Sequence, residues 1–298
     1  MAQKRILVCG ATGNQGGAVV RALVSLNERS SSSSSQFTIL ALTRSKSSPP
    51  AVALAAMPGV TVLEGDLDHP AEIFEAALRG GPLDGVFSVQ VRIRADPKLA
   101  MEMEVRQGSQ LADWAATLGA HLVFSGTDFL DMDDTGIWIF EDKRAIEKHI
   151  QSVANLRYTI LRPAYFCENF ISDDTAATAF FRQLPSHKTQ LIACKDIGVF
   201  AAMAFVDSGP WEGRTISLAG DELTTEQIQV DWEQIMGKPY NLVDDHVANG
   251  FLKADPPIAA TFKLFETQSY RVDIPALRKI HSGLQTWRMF LENQKMES

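Results

Sequence analysis

The sequence predicts an α/β fold: a doubly wound parallel sheet followed by a smaller α/β lobe. Three observations indicate this fold. Short, continuously apolar runs are typical of strands buried on both faces, amphipathic helical segments separate these runs, and the alternation is lost after Pro163. Alternating strands and helices specify parallel strands with right-handed crossovers. We therefore expect a sheet domain over residues 1–163 and a smaller lobe over residues 164–298, with some elements returning to the main sheet.

The alternating part of the chain contains apolar runs that predict strands and longer amphipathic segments that predict helices. The predicted strands are Arg5–Gly10, Phe37–Thr43, Val60–Glu64, Gly85–Val89, His121–Ser125 and Arg157–Arg162. The predicted helices are Ala18–Leu26, Leu99–Leu118 and Ile139–Ile150. The consecutive serines Ser30–Ser35 can bury no apolar surface, so we expect a solvated loop there.

The C-terminal part of the chain has fewer regular patterns. We expect a helix over Asp196–Val206, a strand over Arg214–Ala219, and one helix or a helix pair over Asp273–Leu291. A further helix over Thr224–Met236 should begin with a capping box between Thr224 and Gln227. Gly237 should end that helix.

The composition of the chain limits its partners and its compartment. With 298 residues, 45% hydrophobic and 21% charged, the chain can form a core without disulfides. Its net charge of −8 argues against a nucleic-acid or anionic-membrane partner, which requires a basic surface. Cys9, Cys167 and Cys194 have neither paired nor zinc-binding spacing, so we expect reduced thiols. The sequence shows no signal peptide and no apolar stretch of membrane length, and we expect a cytoplasmic protein.

A glycine-rich loop lies between the first predicted strand and the first predicted helix. Its residues are Gly10, Ala11, Thr12, Gly13, Asn14, Gln15 and Gly16. Gly10 permits a sharp turn, Gly13 permits close approach of the backbone to a pyrophosphate, and Gly16 permits close helix–strand packing. The helix N-terminus adds N–H groups and the positive end of a dipole. This spacing predicts a Rossmann-type dinucleotide site, and a tight turn without a ligand is the alternative.

The end of the second predicted strand indicates which dinucleotide binds. NAD sites usually place Asp or Glu there, where the carboxylate accepts a hydrogen bond from the ribose 2′-hydroxyl. In this sequence Arg44 follows the strand, with Ser45, Lys46 and Ser48 close behind. A guanidinium can pair with a 2′-phosphate and stack on adenine, which predicts NADP(H). A solvated arginine in the turn is the alternative.

Two further strand ends should border the cofactor. Asp66 and Leu67 follow the third predicted strand. Asp66 has two interpretations: a contact to the adenine amino group, or the N-cap of a helix that begins near Pro70. Val89 and Gln90 end the fourth predicted strand, at the carboxyl edge where such sheets bind ligands. We expect Val89 and Gln90 to line the cofactor crevice and leave both roles of Asp66 open.

The glycine loop occurs together with six other distinctive segments. These are Thr43–Ser45, Gly65–Leu67, Phe87–Gln90, Arg162–Phe170, Asp196–Phe205 and Leu218–Thr224. Together they resemble the NmrA-like family of atypical short-chain dehydrogenase/reductases, over nearly the whole chain. The resemblance implies an NADP(H)-binding Rossmann domain and a small substrate or partner lobe. It also implies a cofactor lysine at Lys143 and a nicotinamide-covering loop at Phe166, Cys167, Glu168 and Asn169.

The proton donor of ordinary short-chain dehydrogenases is absent from this sequence. Those enzymes use a Tyr-x-x-x-Lys motif, in which the lysine lowers the tyrosine pKa. None of the four tyrosines has a lysine four residues later, and Ile139 stands four residues before Lys143. Lys143 shares an apolar helix face with Ile146 and Ile150, so we expect an inward lysine that acts as general acid. A lysine at the helix edge is the alternative.

Two other side chains are candidates for a catalytic role. Ser125 follows the fifth predicted strand, where a hydroxyl either binds a substrate carbonyl or caps backbone in the turn. Tyr165 lies near the expected nicotinamide end and is a substitute phenol. We expect no metal site, because the acidic run over Asp131–Asp142 departs from an EF-hand loop.

Two functions fit these features. The first is an NADPH-dependent reductase that acts on a small organic carbonyl or enone of secondary-metabolite type. Aromatic side chains expected in its substrate lobe include Phe200, Phe205, Phe251 and Phe262. The second is a non-catalytic NADP(H)/NADP⁺ sensor that regulates a protein partner, with Gln90–Asp96 and Asp128–Gly136 becoming ordered on binding. A homo-oligomer is compatible with both.

Overall fold

A computed structural model describes residues 3–29, 36–90, 97–171, 175–184, 187–254 and 256–297. Its strands are β1 Lys4–Val8, β2 Phe37–Thr43, β3 Val60–Glu64, β4 Gly85–Ser88, β5 His121–Ser125, β6 Tyr158–Pro163, β7 Tyr165–Phe166, β8 Thr189–Ile192, β9 Arg214–Leu218 and β10 Asp221–Leu223. Its α-helices are α1 Asn14–Arg29, α2 Pro49–Ala55, α3 Pro70–Leu78, α4 Pro97–Leu118, α5 Trp138–Ser152, α6 Thr175–Arg182, α7 Cys194–Val206, α8 Thr225–Met236, α9 Asp245–Ala254, α10 Pro256–Phe265, α11 Ile274–Ile280 and α12 Trp287–Glu297. The serine run Ser30–Ser35, predicted to be a loop, lies outside the described residues.

The main sheet is doubly wound, and the predicted α/β fold is confirmed. Within the described ranges its strands lie in the order β3-β2-β1-β4-β5-β6-β9. The five pairings from β3 through β6 are all parallel. The strand order reverses between β1 and β4, and ligands of such sheets bind outside the carboxyl ends of the strands at that point. Those carboxyl ends carry the residues that the sequence singles out.

The predicted boundaries agree well in the sheet and less well at the glycine loop. Phe37–Thr43, Val60–Glu64 and His121–Ser125 begin and end as predicted. The first strand ends at Val8 rather than at Gly10, because Gly10 already turns the chain with a φ of 61°. The first helix begins at Asn14 rather than at Ala18, so the last glycines of the loop belong to the helix.

The chain divides into two compact units, and each unit consists of three separate stretches of sequence. Unit 1 comprises Met1–Gly126, Asp142–Leu161 and Ile197–Ile216, and unit 2 comprises Thr127–Glu141, Arg162–Asp196 and Ser217–Ser298. Phe200 and Phe205, expected in the smaller lobe, lie instead in the buried core of unit 1. Phe262 is buried in unit 2, as expected. The side chain of Phe251 lies outside the described part of the structure.

Close packing between two helices of unit 1 explains the glycine in the segment Asp196–Phe205. A Cβ built on Gly198 of α7 would lie 2.5 Å from the carbonyl carbon and oxygen of Ala18 in α1. Only glycine permits this approach, because the atoms it meets belong to backbone. The predicted helix over Asp196–Val206 therefore forms part of the support of α1, the helix that begins at the glycine loop.

Unit 2 contains a small sheet and a set of helices. Its strand order among the described residues is β10-β8-β7. The capping box between Thr224 and Gln227 is present, and Gly237 ends α8 with a φ of 70°. The C-terminal part forms a helix pair, α11 and α12, which confirms one of the two expected arrangements.

A buried carboxylate holds the C-terminal segment of unit 2 in place. Asp196 is 1% exposed and accepts hydrogen bonds from His281 Nε2 at 3.0 Å and from the backbone N–H of Gln285 at 3.0 Å. A buried carboxylate requires such donors to offset the loss of its hydration. Asp196 of the family-like segment is thus a structural residue in unit 2.

Candidate functional site

The glycine loop forms the turn from β1 into α1. The N–H of Gly13 donates to the carbonyl of Gly10 at 2.9 Å, and the N–H of Gly17 donates to the carbonyl of Gly13 at 2.9 Å. Thr12, Gly13 and Asn14 are exposed, whereas Ala11 is buried. The first N–H groups of a helix have no partner within the helix, so this exposed turn presents donors to an anion.

The three loop glycines differ in what surrounds them. A Cβ on Gly10 would lie 2.9 Å from Cγ1 of Val89, which places the end of β4 against the loop. A Cβ on Gly16 would lie 2.3 Å from the carbonyl oxygen of Gly10 and 2.7 Å from that of Cys9. A Cβ on Gly13 would lie no closer than 3.4 Å to any atom outside its neighbours. Gly16 is therefore required for packing, while Gly13 leaves the outer face of the loop open.

Hydroxyl groups hold the turn that carries Arg44. The hydroxyl of Ser48 donates to the carbonyl of Ser45 at 3.0 Å, and the Ser45 and Ser47 hydroxyls lie 3.0 Å apart. The N–H of Lys46 donates to the carboxylate of Glu64, at the end of β3, at 2.8 Å. Arg44 itself is exposed, and within the described residues its guanidinium has no hydrogen bond or ion pair. The turn therefore presents a cation with unused donors beside the carboxyl end of β2.

Asp66 forms a local turn and is not the N-cap of the following helix. The N-cap of α3 is His69, so the N-cap interpretation of Asp66 is wrong. The Asp66 carboxylate instead accepts the N–H of Asp68 at 3.0 Å in a local turn. The side chain of Leu67 packs against the core of unit 1. Asp66 is exposed, so contact with an adenine amino group stays a prediction.

Val89 and Gln90 lie at the carboxyl end of β4, as predicted from the sequence. Gln90 is 5% exposed, and its Nε2 donates to the hydroxyl of Ser88 at 2.8 Å. Its Oε1 is buried and has no hydrogen-bond partner among the described residues. A buried acceptor without a donor is unfavourable unless a ligand or water supplies one. Residues 91–96, expected to become ordered on binding, lie outside the described residues.

Lys143 points inward, as predicted, and contacts a carboxylate that the sequence did not identify. Its ammonium forms an ion pair with Glu104 of α4, and the two side chains are 14% and 5% exposed. The same ammonium lies 3.5 Å from the carbonyl oxygen of Gln90 and 5.7 Å from the centre of the Phe124 ring. The edge-of-helix alternative is wrong, because these partners enclose the ammonium. The signal for Glu104 was its position on an otherwise apolar face of α4.

Ser125 connects the end of β5 to the glycine loop. Its hydroxyl donates to Oε1 of Gln15 at 2.5 Å, and its side chain is 1% exposed. Among the described residues the hydroxyl makes no hydrogen bond to the turn backbone, so the capping alternative is wrong. Because Gln15 lies in the first turn of α1, this hydrogen bond fixes that turn relative to β5. A direct catalytic role for Ser125 stays a prediction.

Tyr165 lies in an aromatic cluster of unit 2. Its ring centre is 4.9 Å from that of Phe265 and 5.8 Å from that of Tyr270. Burial raises the pKa of Tyr165 well above its usual value, and the phenol oxygen has no hydrogen-bond partner in the described part of unit 2. A higher pKa makes a phenol a weaker acid. This environment argues against proton donation by Tyr165.

The loop after β6 belongs to unit 2 and forms β7 and a short 3-10 helix over Cys167–Phe170. Glu168 Oε1 accepts the N–H of Cys194 at 2.8 Å, and burial raises the pKa of Glu168. Burial and the nearby Glu168 raise the pKa of Cys167, which keeps this thiol protonated. Phe166 is half-buried and Asn169 is exposed. Their contact with a nicotinamide stays a prediction.

Metal-binding clusters and membrane-spanning helices would each indicate a different class of site. Within the described ranges, no cluster of three or more His, Cys, Asp or Glu side chains is arranged to hold a metal ion. No helix in the same ranges is both long enough and apolar enough to cross a membrane. All three cysteines are free and buried, as expected for reduced thiols.

Comparison with known proteins places these features in a family. The model of the NmrA-like family matches residues 2–280. The NmrA-like family domain-containing oxidoreductase lnaB of Aspergillus flavus is 25% identical over 261 residues, which cover 79% of this chain and 74% of lnaB. Triphenylmethane reductase of Citrobacter sp., solved with NADP(H), superposes with a TM-score of 0.71 at 20% identity, over 98% of this chain and 99% of that one.

A second solved structure has the same fold but is named for a regulatory role. NmrA, described as a negative transcriptional regulator in complex with NADP, superposes with a TM-score of 0.69 at 16% identity. The match covers 98% of this chain and 95% of NmrA. Because the family model spans most of the sequence and the fold agrees throughout, this chain belongs to the NmrA-like family.

Proposed function

We propose that the protein is an NADP(H)-dependent oxidoreductase that acts on a small organic carbonyl or enone. One observation carries this proposal: the Lys143 ammonium lies 3.5 Å from the Gln90 carbonyl, at the carboxyl end of β4. Parallel strands end at one edge of the sheet, so the glycine loop after β1 and Arg44 after β2 belong to that same edge. A cation that can hold a proton therefore stands at the edge that carries the dinucleotide-binding residues.

The residues of unit 1 fit a dinucleotide phosphate. The Gly13 side of the loop is open and exposed, and α1 begins there, so its N–H groups can bind a pyrophosphate. The exposed Arg44 can form charge-assisted hydrogen bonds to a 2′-phosphate. The buried Oε1 of Gln90 offers an acceptor to a ligand donor. Of these contacts, the one from Arg44 favours NADP(H) over NAD(H), because only NADP(H) has a 2′-phosphate.

The chemistry divides between the dinucleotide and the protein. The chemistry that NADPH would supply when bound is a hydride for the substrate carbon. Lys143 Nζ holds the proton that goes to the carbonyl oxygen, or to the α-carbon of a reduced enone. Ser125, through Gln15, keeps in place the first turn of α1, which would bind the phosphates. The relatives support this class of reaction, since lnaB is named an oxidoreductase and the Citrobacter protein a reductase.

Turnover of NADPH tests this proposal. A panel of carbonyl and enone metabolites is screened for substrate-dependent NADPH oxidation by the wild type. Lys143→Met keeps the length of the side chain but removes its charge and proton, and should reduce kcat by a factor of about a hundred or more. Lys148→Met, an exposed position on the same helix, is the matched control and should keep wild-type turnover. Full turnover in Lys143→Met would refute the assignment of Lys143 as the proton donor. Complete inactivity of the wild type would count against the proposal that the protein is an oxidoreductase.

A cofactor sensor is the second candidate function. The missing Tyr-x-x-x-Lys motif and the buried phenol of Tyr165 favour it, and NmrA is described as a negative transcriptional regulator. In the segment Asp128–Gly136, Leu130 and Asp131 both have a φ of 58°, a conformation that non-glycine residues rarely adopt. Such a segment is a candidate for rearrangement on cofactor binding. Pull-downs from source cells with and without NADP⁺ should then recover different partners, and an identical partner set would argue against a sensor.

A further inference from the structure

The ammonium of Lys143 is held by a carboxylate from a different helix. Glu104 of α4 forms an ion pair with Lys143 of α5, and its side chain is only 5% exposed. A long lysine side chain has many rotamers in water and loses them only when partners fix its end. A carboxylate at this depth also needs a cation to offset its lost hydration. The two groups therefore depend on each other for a favourable position.

Packing between the helices brings this pair together. A Cβ on Gly108 of α4 would lie 2.7 Å from Cδ1 of Ile146 in α5, so the helices approach closely at this point. Glu104 lies one helical turn before Gly108, and Lys143 lies about one turn before Ile146. The side chains at these positions share the facing surfaces of the two helices. The close approach at Gly108 thus brings the carboxylate within reach of the ammonium.

The other contacts of the Lys143 ammonium show where it lies relative to the sheet. The Gln90 carbonyl lies 3.5 Å from Lys143 Nζ, and the Phe124 ring centre lies 5.7 Å from it. Gln90 follows the end of β4 and Phe124 belongs to β5, so both partners stand near the carboxyl edge of the sheet. Glu104 approaches from α4. The carboxylate holds the ammonium beside the strand ends, where a ligand of the glycine loop would bind.

We propose that Glu104 is a positioning residue that holds Lys143 Nζ at the carboxyl ends of β4 and β5. The proposal rests on the proposed function, because it assigns the position of the proton-holding lysine to a second residue. Glu104 acts through Lys143, so loss of Glu104 should alter the chemical step more than the binding of substrate. A purely structural ion pair would instead affect folding alone.

Five variants test the proposal: Glu104→Gln, Glu104→Asp, Lys143→Met, the double variant Glu104→Gln/Lys143→Met, and Glu102→Gln. Glu102 is exposed on the same helix and serves as the matched control. Glu104→Gln should lower kcat about tenfold, the size expected for loss of one coupled contact, while KM for NADPH changes less than about threefold. Glu104→Asp keeps the charge and should recover part of that loss. Glu102→Gln should behave as wild type.

The double variant separates action through Lys143 from an independent effect. In the Lys143→Met background, Glu104→Gln should lower kcat no further, because the residue it positions is gone. Independent, multiplying losses in kcat would overturn the proposal, and so would a folded Glu104→Gln variant with wild-type kcat. If Glu104→Gln fails to fold, the double variant removes both charges and should regain the thermal stability that each single variant loses.

A readout without turnover distinguishes failure of this proposal from failure of the proposed function. Calorimetric titration with NADPH gives the affinity of each variant, whether or not the protein has enzymatic activity. If the wild type binds NADPH but reduces no substrate, the oxidoreductase proposal fails on its own. Titration of the two single variants and the double variant then gives a second cycle: small losses of affinity, below about threefold, that do not add support coupling of Glu104 to Lys143, and additive losses overturn it.

Discussion

Two glycines of the same loop should respond differently to substitution, because one serves packing and the other serves ligand binding. Gly16→Ala should destabilise the protein, whereas Gly13→Ala should leave its stability unchanged and weaken NADP(H) binding. The two substitutions add the same methyl group to the same loop. They differ in what the methyl meets: at Gly16 it would clash with the backbone of Cys9 and Gly10, whereas at Gly13 it would make only an ordinary contact with the Gly10 carbonyl oxygen.

The magnitude follows from the contact distances. An alanine Cβ at Gly16 would lie 2.3 Å from the Gly10 carbonyl oxygen and 2.5 Å from its carbonyl carbon. Backbone atoms cannot turn away as a flexible side chain can, so α1 or β1 must shift. Overpacking of this kind destabilises a core by about 1–3 kcal/mol. At about 2–4 °C per kcal/mol for a domain of 150–250 residues, the Tm should fall by roughly 2–12 °C. Gly13→Ala meets its nearest atom at 3.4 Å, an ordinary contact.

Differential scanning fluorimetry without cofactor and calorimetric titration with NADPH measure the two effects separately. Gly16→Ala should lower the Tm of the protein without cofactor, and Gly13→Ala should lower only the affinity for NADPH. The opposite pattern, with a stable Gly16→Ala and an unstable Gly13→Ala, would refute the packing argument. Unchanged NADPH affinity in Gly13→Ala would show that the outer face of the loop does not approach the phosphates.

Three further predictions address the cofactor, the sheet and the C-terminal segment. Arg44→Ala should weaken NADPH binding by about ten- to a hundredfold, the loss expected for a charge-assisted contact of about 1.5–3 kcal/mol, and leave NADH binding nearly unchanged. Calorimetry with both cofactors, and with Arg79→Ala as an exposed control, tests this. Burial, and then the charges of Arg157 and Lys4, lower the pKa of His121 to about 4. The unfolded histidine has a pKa of about 6.5, so this site contributes full stability above that pH and loses about 2 kcal/mol by pH 5. Urea unfolding above about pH 6.5 and at pH 5 should show that loss in the wild type and not in His121→Gln. Asp196→Ala leaves buried donors of His281 and Gln285 unsatisfied and should lower the free energy of unfolding by about 1–3 kcal/mol, measured in the same way.

The main sheet could be predicted from the sequence because most of its strands contain a short apolar run. Strands buried on both faces are rich in apolar residues, and the apolar residues at positions 39–42 of β2 and 122–124 of β5 are all buried. The strand β8, Thr189–Ile192, was missed because two of its four residues are polar. Those residues are buried all the same, since β7 and β10 pair with β8 on either side. Pairing partners so distant in sequence leave no local signal.

The division into units was harder to predict for a related reason. A sequence boundary assumes that each domain is one continuous stretch of chain. Here Ile197–Ile216 contributes to the core of unit 1, and α7 packs its Gly198 against α1. The apolar residues of α7 show that the helix is buried, but not which core buries it. Phe200 and Phe205, which lie in this helix, were therefore assigned to the smaller lobe, although both are buried in the core of unit 1.

The candidate site could be predicted where each residue acts through its own backbone or charge. The glycine loop and Arg44 depend on spacing to one strand end, which sequence shows directly. Ser125 and Lys143 depend on partners from other elements: Gln15 accepts the serine hydroxyl, and Glu104 pairs with the ammonium. Those partners lie 110 and 39 positions away in the chain, a distance over which no sequence pattern links them.

The position of Glu104 bears on why this chain lacks the tyrosine of ordinary short-chain dehydrogenases. In those enzymes a lysine assists a phenol, and the phenol holds the proton. Here Ile139 replaces the phenol, and the lysine has a buried carboxylate as its own partner. A lysine that must itself hold the proton gains from such a partner, because the carboxylate restricts Nζ to one place. The same pair would have no such role in a protein that only binds the cofactor. The kcat of Glu104→Gln therefore bears on both the positioning role and the choice between an oxidoreductase and a sensor.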